Sequence, residues 1–389
     1  AEGAAPAGAG ARVAPRSSGA RSPSTRSRLP GLAALANGGD AGDRVDRPGG
    51  LTAAAPREPQ AQRGDPRLPP SAPRHRRRHR HLELADRRDA RTPEEHRESM
   101  ETVFRRQNEE GIDTAVLTPQ EAREVHPLLR YDDAGVIGYD SFTGYADPYL
   151  TTTTYARRAQ DLGVTVHTMA KVDDISFNGD LKTVHTNLGD VSAPIVIMAV
   201  GPWTNQLGQG IGLQFPYENS RHQVITLRAA EPYHADWPIV KDLTIPEKIY
   251  FRPETGGYVL LGTGDHGDPI EDPDSLRDRV DADHIEKMAR IIGQRMPSFA
   301  DAEVTAGWTG PYDITPDWNP IVGQVPGYEG LYVAVGFSGH GFKLAPTIGE
   351  GLAQSVLGLE QRVPITPYSM ERFLTGELLH GAYGIGSIS

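Results

Sequence analysis

From residue 99 onward, apolar positions recur with two periods, one near 3.6 residues and one of 2, broken at regular intervals by Gly, Pro and Asn. Thr118-Pro119-Gln120-Glu121 carries a capping box with Pro at the first helical position, and Pro127 ends the helix it opens. Asp147-Pro148 opens a second helix that Gly163 stops. Val164-Thr165-Val166 reads as a strand. Val172 to Phe177, the turn Asn178-Gly179, and Leu181 to Thr186 read as a hairpin. Pro194 to Gly201 is a continuous apolar run, the pattern of a strand covered on both faces. Residues 213–304 alternate instead, predicting short antiparallel strands at His222 to Leu227, Lys248 to Phe251 and Gly257 to Gly262. An amphipathic helix between Asp281 and Pro297 places Ile285, Met288, Ile292 and Met296 on one core-facing stripe. Leu331 to Val335 is a buried strand, followed by the glycine loop Gly336 to Phe342. A helix from Lys343 to Leu357 follows, closed by Gly358.

Composition divides the chain at residue 98. The first 98 residues hold 19 Ala, 19 Arg, 12 Pro and 11 Gly, with no Phe, Trp, Tyr, Ile, Met or Lys, and a net charge of +7 against −11 for all 389 residues. A stretch this poor in large apolar side chains cannot offset its ordering entropy, so 1–98 is expected to be largely irregular: a disordered basic tail, or a GC-rich stretch read in a shifted frame. Its basic cluster, 73–81, invites a nucleic-acid or metal reading through His75 and His79. No aromatic is interleaved, and a solvated charge run explains it better, so neither partner is expected. The absence of cysteine excludes disulfides, a thiolate nucleophile and a thioether link to a cofactor. The longest apolar run is far short of a membrane span, and no leader pattern opens the chain, so a cytoplasmic location is the expectation.

The candidate chemistry gathers in the last third. Gly336, Gly339 and Gly341 let backbone amides approach a ligand, and the loop feeds a helix start whose free N–H groups favour negative charge. Upstream, Thr315-Pro316-Asp317-Trp318-Asn319-Pro320 forms a rigid turn, read most simply as self-bonded. Gly307-Trp308 through Thr315-Pro316-Asp317, Pro320 and Gly323 to Gly336-Phe337-Ser338-Gly339-His340-Gly341-Phe342-Lys343 resembles, in order and spacing, the C-terminal signature of the FAD-dependent amine and D-amino-acid oxidase family. Gly144-Tyr145-Ala146-Asp147-Pro148 and Ala199-Val200-Gly201-Pro202-Trp203 match at the intervals of that family, most like sarcosine oxidase beta subunits and related dehydrogenases.

The resemblance implies an α/β (α+β) chain. A Rossmann-like FAD-binding domain would be assembled from 145–205 and 305–375, and an antiparallel-sheet substrate domain from 99–144 and 206–304. It implies FAD as cofactor and oxidation of a secondary or tertiary amine such as an N-methyl amino acid, with partner subunits or a separate electron acceptor. Val172 would hold the adenosine part. Gly201 and Trp203 would line the flavin side, and Gly336, Ser338, Gly339, His340, Gly341, Phe342 and Lys343 would seat the ring. Lys343 would pair with the substrate carboxylate, with His266 and Tyr250 as further catalytic candidates and Arg252 beside them. His222 is better read as a structural histidine. The sequence departs from the family in three places. Gly8-Ala9-Gly10 lacks a preceding strand and a third glycine, so it is no dinucleotide motif. Thr309 stands where some relatives place an Arg, and Leu261 where oxygen-using relatives carry a Lys. A non-catalytic, flavin-poor subunit and a nucleic-acid-binding protein are the alternative readings.

Overall fold

The computed structural model describes residues 34–35, 79–86, 93–265 and 267–380, and the account below concerns these. Its main element is a nine-stranded sheet. From one edge the order runs Asp268–Pro269, Glu218–Arg228, Tyr258–Thr263, Ile249–Glu254, Ile239–Leu243, His79–Asp86, Ala134–Thr143, Thr114–Leu117, and Glu303–Ile314 also pairs with Glu218–Arg228. All pairs are antiparallel except His79–Asp86 with Ile239–Leu243. One face is apolar: Leu82, Leu84, Val240, Phe251, Leu261 and Ile225 are fully buried. The Ala282–Arg295 helix contributes Met288 and Ile292 to that core, with Met296 just beyond it and Ile285 packed at its margin, so the expected stripe is the packing face. Each such side chain contributes about 1.5–3 kcal/mol by leaving water.

A smaller sheet joins Val196–Met198 parallel to Leu331–Val335, which pairs antiparallel with Ile321–Gln324. Leu331, Val333 and Val335 face one apolar cluster, and Tyr332 and Ala334 face another that includes Ile348 and Leu352 of the Gly341–Val356 helix. This two-sided burial is what its unbroken apolar sequence predicts. The hairpin forms as Val172–Asn178 with Leu181–Thr186. The Pro119–Val125 helix shows its capping box, Thr118 accepting from Glu121 N–H while the Glu121 carboxylate accepts from Thr118 N–H.

Two expectations are corrected. The ordered body does not start at residue 99, because His79–Asp86 is an interior strand paired on both sides. Its own large apolar side chains are Leu82 and Leu84, both fully buried, and its neighbours supply the rest of the buried surface that orders it. The basic cluster 73–81 therefore ends inside this strand at His79, Arg80 and His81, and 73–78 lie outside the described residues. Glu303–Ile314 is also a strand of the large sheet, bonded along its length to Glu218–Arg228, so that sheet does not stop at residue 304. No helix among the described residues is long and apolar enough to cross a membrane.

Candidate active site

The site is built where the Leu331–Val335 strand ends. The chain turns through Gly336, Ser338 and Gly339, all with positive φ (71°, 49° and 84°), and enters the Gly341–Val356 helix, whose N-terminus no side chain caps. Asp313 clamps this turn: its carboxylate accepts from Gly336 N–H at 2.7 Å and its carbonyl accepts from Ser338 N–H at 3.1 Å. Burial pushes the Asp313 carboxyl up to about 6, against the lowering effect of these backbone donors. Ser338 Oγ accepts from Thr315 N–H at 3.2 Å and donates to the Gly336 carbonyl at 3.2 Å.

The glycines are needed by the protein's own packing. A methyl group at Gly339 would come within 2.5 Å of the Tyr312 ring, and one at Gly336 would strike Thr315. Their Cα faces are thus closed, and the surface left to a ligand is the helix start and its amides. Gly201 differs: its φ is 51° and nothing lies within 4 Å of the Cβ position. The upstream turn is self-bonded as expected, with Asn319 N–H to Asp317 at 3.1 Å, and Asp317 also takes two bonds from Arg372 at 2.7 and 3.0 Å.

Facing this corner is the second side of the large sheet. Alternation puts Glu83 between the buried Leu82 and Leu84 but on the opposite face, and His81 with it. Register sets Glu83 opposite Lys241, Lys241 opposite Tyr250, and Tyr250 opposite Gly262. The Tyr250 ring lies across Gly262, where a methyl group would come within 2.5 Å of its hydroxyl. Tyr250 shares a hydrogen bond with Tyr312, and Tyr312 stacks on His222 at 3.7 Å between ring centroids. Arg252, next on the same face, lies over the Tyr145 ring at 4.4 Å and pairs with Glu254 at 2.9 Å.

Lys343, in the first turn of the helix, stays open to solvent. Surrounding protein lowers its pKa, and the Glu83 carboxylate acts against that. Desolvation lowers His81 to about 4, aided by Lys241 and Lys343, and lowers Lys241 to about 8, where Glu83 opposes and Lys343 assists. Burial raises Glu83, against the pull of the same two lysines. His340 is lowered to about 4, first by burial and then by Lys343 and Lys241, so its ring is neutral at pH 7. The buried atoms Glu83 Oε1 and His340 Nε2 have no hydrogen-bond partner in the structure.

The structure thus brings Lys343, His340 and Tyr250 to one corner. Phe342 is half exposed at its edge, and Gly341 lies against Phe337. Gly201 and Trp203 form a short turn beside it, with Trp203 Nε1 donating to Asp274 at 2.8 Å. Val172 begins the hairpin, away from the charged cluster, partly buried against the core of Met198 and Val333. His266 lies outside the described residues. Thr309 is engaged with the Arg277 carbonyl at 2.7 Å. Leu261 is in the core, so the polar face passes through Gly262 instead. Sequence reading missed Glu83, His81, Lys241, Tyr312 and Asp313. One signal was present: a carboxylate and an imidazole alternating with leucines in His81-Leu82-Glu83-Leu84.

An uncapped helix start, an open glycine and a buried imidazole nitrogen without a partner suit the ring end of a flavin. Residues 70–355 match the profile of the FAD dependent oxidoreductase (DAO) family. The bovine (Bos taurus) FAD-dependent oxidoreductase domain-containing protein 1 is 28% identical over 312 residues, covering 72% of this chain and 63% of its own length. The chain therefore spans less than two thirds of that relative. Sarcosine oxidase subunit beta of Arthrobacter sp. is 28% identical over 283 residues, 71% of this chain and 67% of that protein. Among solved structures, L-proline dehydrogenase from P. horikoshii superposes with a TM-score of 0.69 at 26% identity, covering 78% of each chain.

Proposed function

This chain belongs to the FAD-dependent oxidoreductase (DAO) family, and from that premise we propose that it oxidises a secondary or tertiary amine, an N-methyl amino acid or a close analogue, at the carbon next to nitrogen. When bound, FAD would supply the redox chemistry by accepting a hydride equivalent from the carbon next to nitrogen, and water would hydrolyse the resulting imine, or the iminium ion from a tertiary amine. Two names among the similar proteins, sarcosine oxidase subunit beta and L-proline dehydrogenase, carry secondary amines.

The observation that carries the reading is the meeting of Lys343, at an uncapped helix start, with the polar face of the large sheet. Lys343 binds the substrate carboxylate as a charge-assisted partner. Tyr250, held by Tyr312 and pressed over Gly262, limits how the amine lies. His340, neutral and buried, would offer Nε2 to a bound flavin, and the positive end of the helix would favour negative charge there. Gly201, Trp203 and 336–343 would hold the ring, and Val172 the adenosine end. Asp313 fixes the loop rather than touching substrate.

Anaerobic addition of sarcosine, dimethylglycine, proline and D-amino acids to the flavin-loaded protein tests this. Bleaching of the visible flavin band by the secondary or tertiary amines is expected. Bleaching by primary amino acids alone, or by none of the set, would overturn the reading.

A further inference from the structure

The small sheet of Val172–Asn178, Leu181–Thr186 and Val191–Ala193 has two unlike faces. Ile175 and Val184 are buried in the cluster of Met198 and Val333. Alternation turns Ser176, Thr183 and His185 to the other face, where Ser176 is exposed and the other two are half-buried. There Ser176 Oγ–H donates to His185 Nε2 at 2.8 Å, and the opposite ring nitrogen, Nδ1, donates to Asp190 Oδ1 at 3.0 Å. A hydroxyl, a base and an orienting carboxylate thus stand in series, each within hydrogen-bond reach of the next. Register explains the meeting. Ser176 lies opposite Thr183 and His185 opposite Asp174, so serine and imidazole are diagonal neighbours on one face. Asp174 turns to the Ile175 N–H at 2.8 Å, and Asp190 is the carboxylate that meets the ring. The turn before Asp190 is fixed: Thr186 Oγ1 donates to the Gly189 carbonyl at 2.6 Å and accepts from Leu188 N–H at 3.1 Å, and Gly189 N–H donates to the Thr186 carbonyl at 3.0 Å. With Nδ1–H committed to Asp190, Nε2 is the nitrogen that takes the serine proton.

We propose that Ser176, His185 and Asp190 form a second reactive centre, which hydrolyses uncharged carboxylic esters. Ser176 Oγ attacks the ester carbonyl carbon and its proton passes to His185 Nε2. The bond from that carbon to the alcohol oxygen breaks, and the alcohol leaves with the proton. Water then attacks the acyl-serine by the same route in reverse, giving the acid and restoring the hydroxyl. Ser176 and His185 touch the reacting atoms and are the catalytic residues. Asp190 is a positioning residue that holds the ring in one tautomer. An uncharged ester is favoured because Asp174 and Asp190 flank the serine, so an anionic one is repelled. Leu181 and Leu188, 46% and 62% exposed, leave apolar surface beside it. The centre uses no group of the Lys343 corner, so it does not depend on the amine-oxidation reading.

Diisopropyl fluorophosphate tests this on the flavin-loaded protein, because it marks serines activated by a neighbouring base. The Oγ–P bond forms, the P–F bond breaks, fluoride leaves and the serine proton goes to His185. Peptide mass spectrometry is expected to find the mark on Ser176. Ser192 is the internal control, since it lies on the same sheet and its hydroxyl meets that of Thr183 at 2.8 Å rather than an imidazole. Ser176→Ala should abolish the mark. His185→Gln keeps a polar group of similar reach but cannot take the proton, and should slow marking about a hundredfold. Asp190→Asn, which favours the wrong tautomer, should slow it at least about tenfold. Hydrolysis of p-nitrophenyl acetate should fall in the same order, while the visible flavin spectrum stays unchanged in all three variants. An unmarked Ser176 in the unaltered protein, a result that needs no variant, would overturn the proposal. So would equal marking of Ser192, or a rate undiminished by His185→Gln or by Asp190→Asn.

Discussion

Replacing Gly339 with alanine tests how the loop is held. The position has a φ of 84°, and the new Cβ would lie 2.5 Å from Cε2 and 3.0 Å from Cζ of Tyr312. The left-handed backbone costs an alanine about 1–2 kcal/mol. Overpacking against a ring that cannot simply swing away adds about 1–3 kcal/mol. Tyr312 is fixed because it stacks on His222 at 3.7 Å and shares a hydrogen bond with Tyr250. Gly339→Ala should therefore lose about 2–5 kcal/mol of unfolding free energy. Urea unfolding of Gly339→Ala, Tyr312→Leu and the double variant separates the two contributions. In the Tyr312→Leu background only the backbone cost should remain, giving a coupling of at least about 1 kcal/mol. Gly201→Ala, with φ 51° and open space at the Cβ position, is the control and should show the backbone cost alone. Equal losses for Gly339→Ala in both backgrounds would refute the reasoning, since Tyr312 would then not be what demands a glycine.

Lys343→Ala should raise KM for an amino-acid substrate at least tenfold while leaving the flavin content of purified protein unchanged, read by steady-state kinetics and the visible spectrum. Asp317→Ala leaves the buried Arg372 guanidinium unpaired and should cost about 3–5 kcal/mol by denaturant titration, with Asp317→Asn recovering part through the retained hydrogen bonds. Asp313 gives a pH signature: its folded pKa of about 6 lies above the unfolded carboxylate value near 3.9, so the folded state binds more protons between them. Stability from this group is present at low pH and falls as pH rises from about 4 to about 6, by about 2–3 kcal/mol. Asp313→Asn should flatten that part of the stability–pH curve, and an unchanged curve would remove Asp313 as its source.

What could be read from sequence was what depends on near neighbours. Leu331 to Val335 is apolar at every position because both faces are covered, and the glycine loop and helix after it follow from local backbone demands. Thr118 and Glu121 form their capping box three residues apart, where a sequence pattern can see it. Glu303–Ile314 escaped because Gly307, Gly310 and Pro311 read as loop punctuation. In the sheet, Gly307 is required where Val280 presses against the strand, and the whole stretch is carried by pairing with Glu218–Arg228. Glu83 and Lys241 escaped for a related reason. They lie 158 positions apart, and only the register between two distant strands makes them neighbours. The order of His79–Asp86 is likewise borrowed, since composition judged it alone and could not count the surface its partners provide.

The parallel pairing of His79–Asp86 also settles what kind of object the large sheet is. Take that strand away and two separate ribbons remain, each with a raw margin of unpaired amides and carbonyls along Ile239–Leu243 and Ala134–Thr143. Such margins invite foreign strands to dock, so a fragment cut at residue 98 would be prone to clumping as well as weakened. The His79–Asp86 end of the arginine-rich opening therefore cannot be trimmed as a mere appendage, because that strand stitches the two ribbons into one.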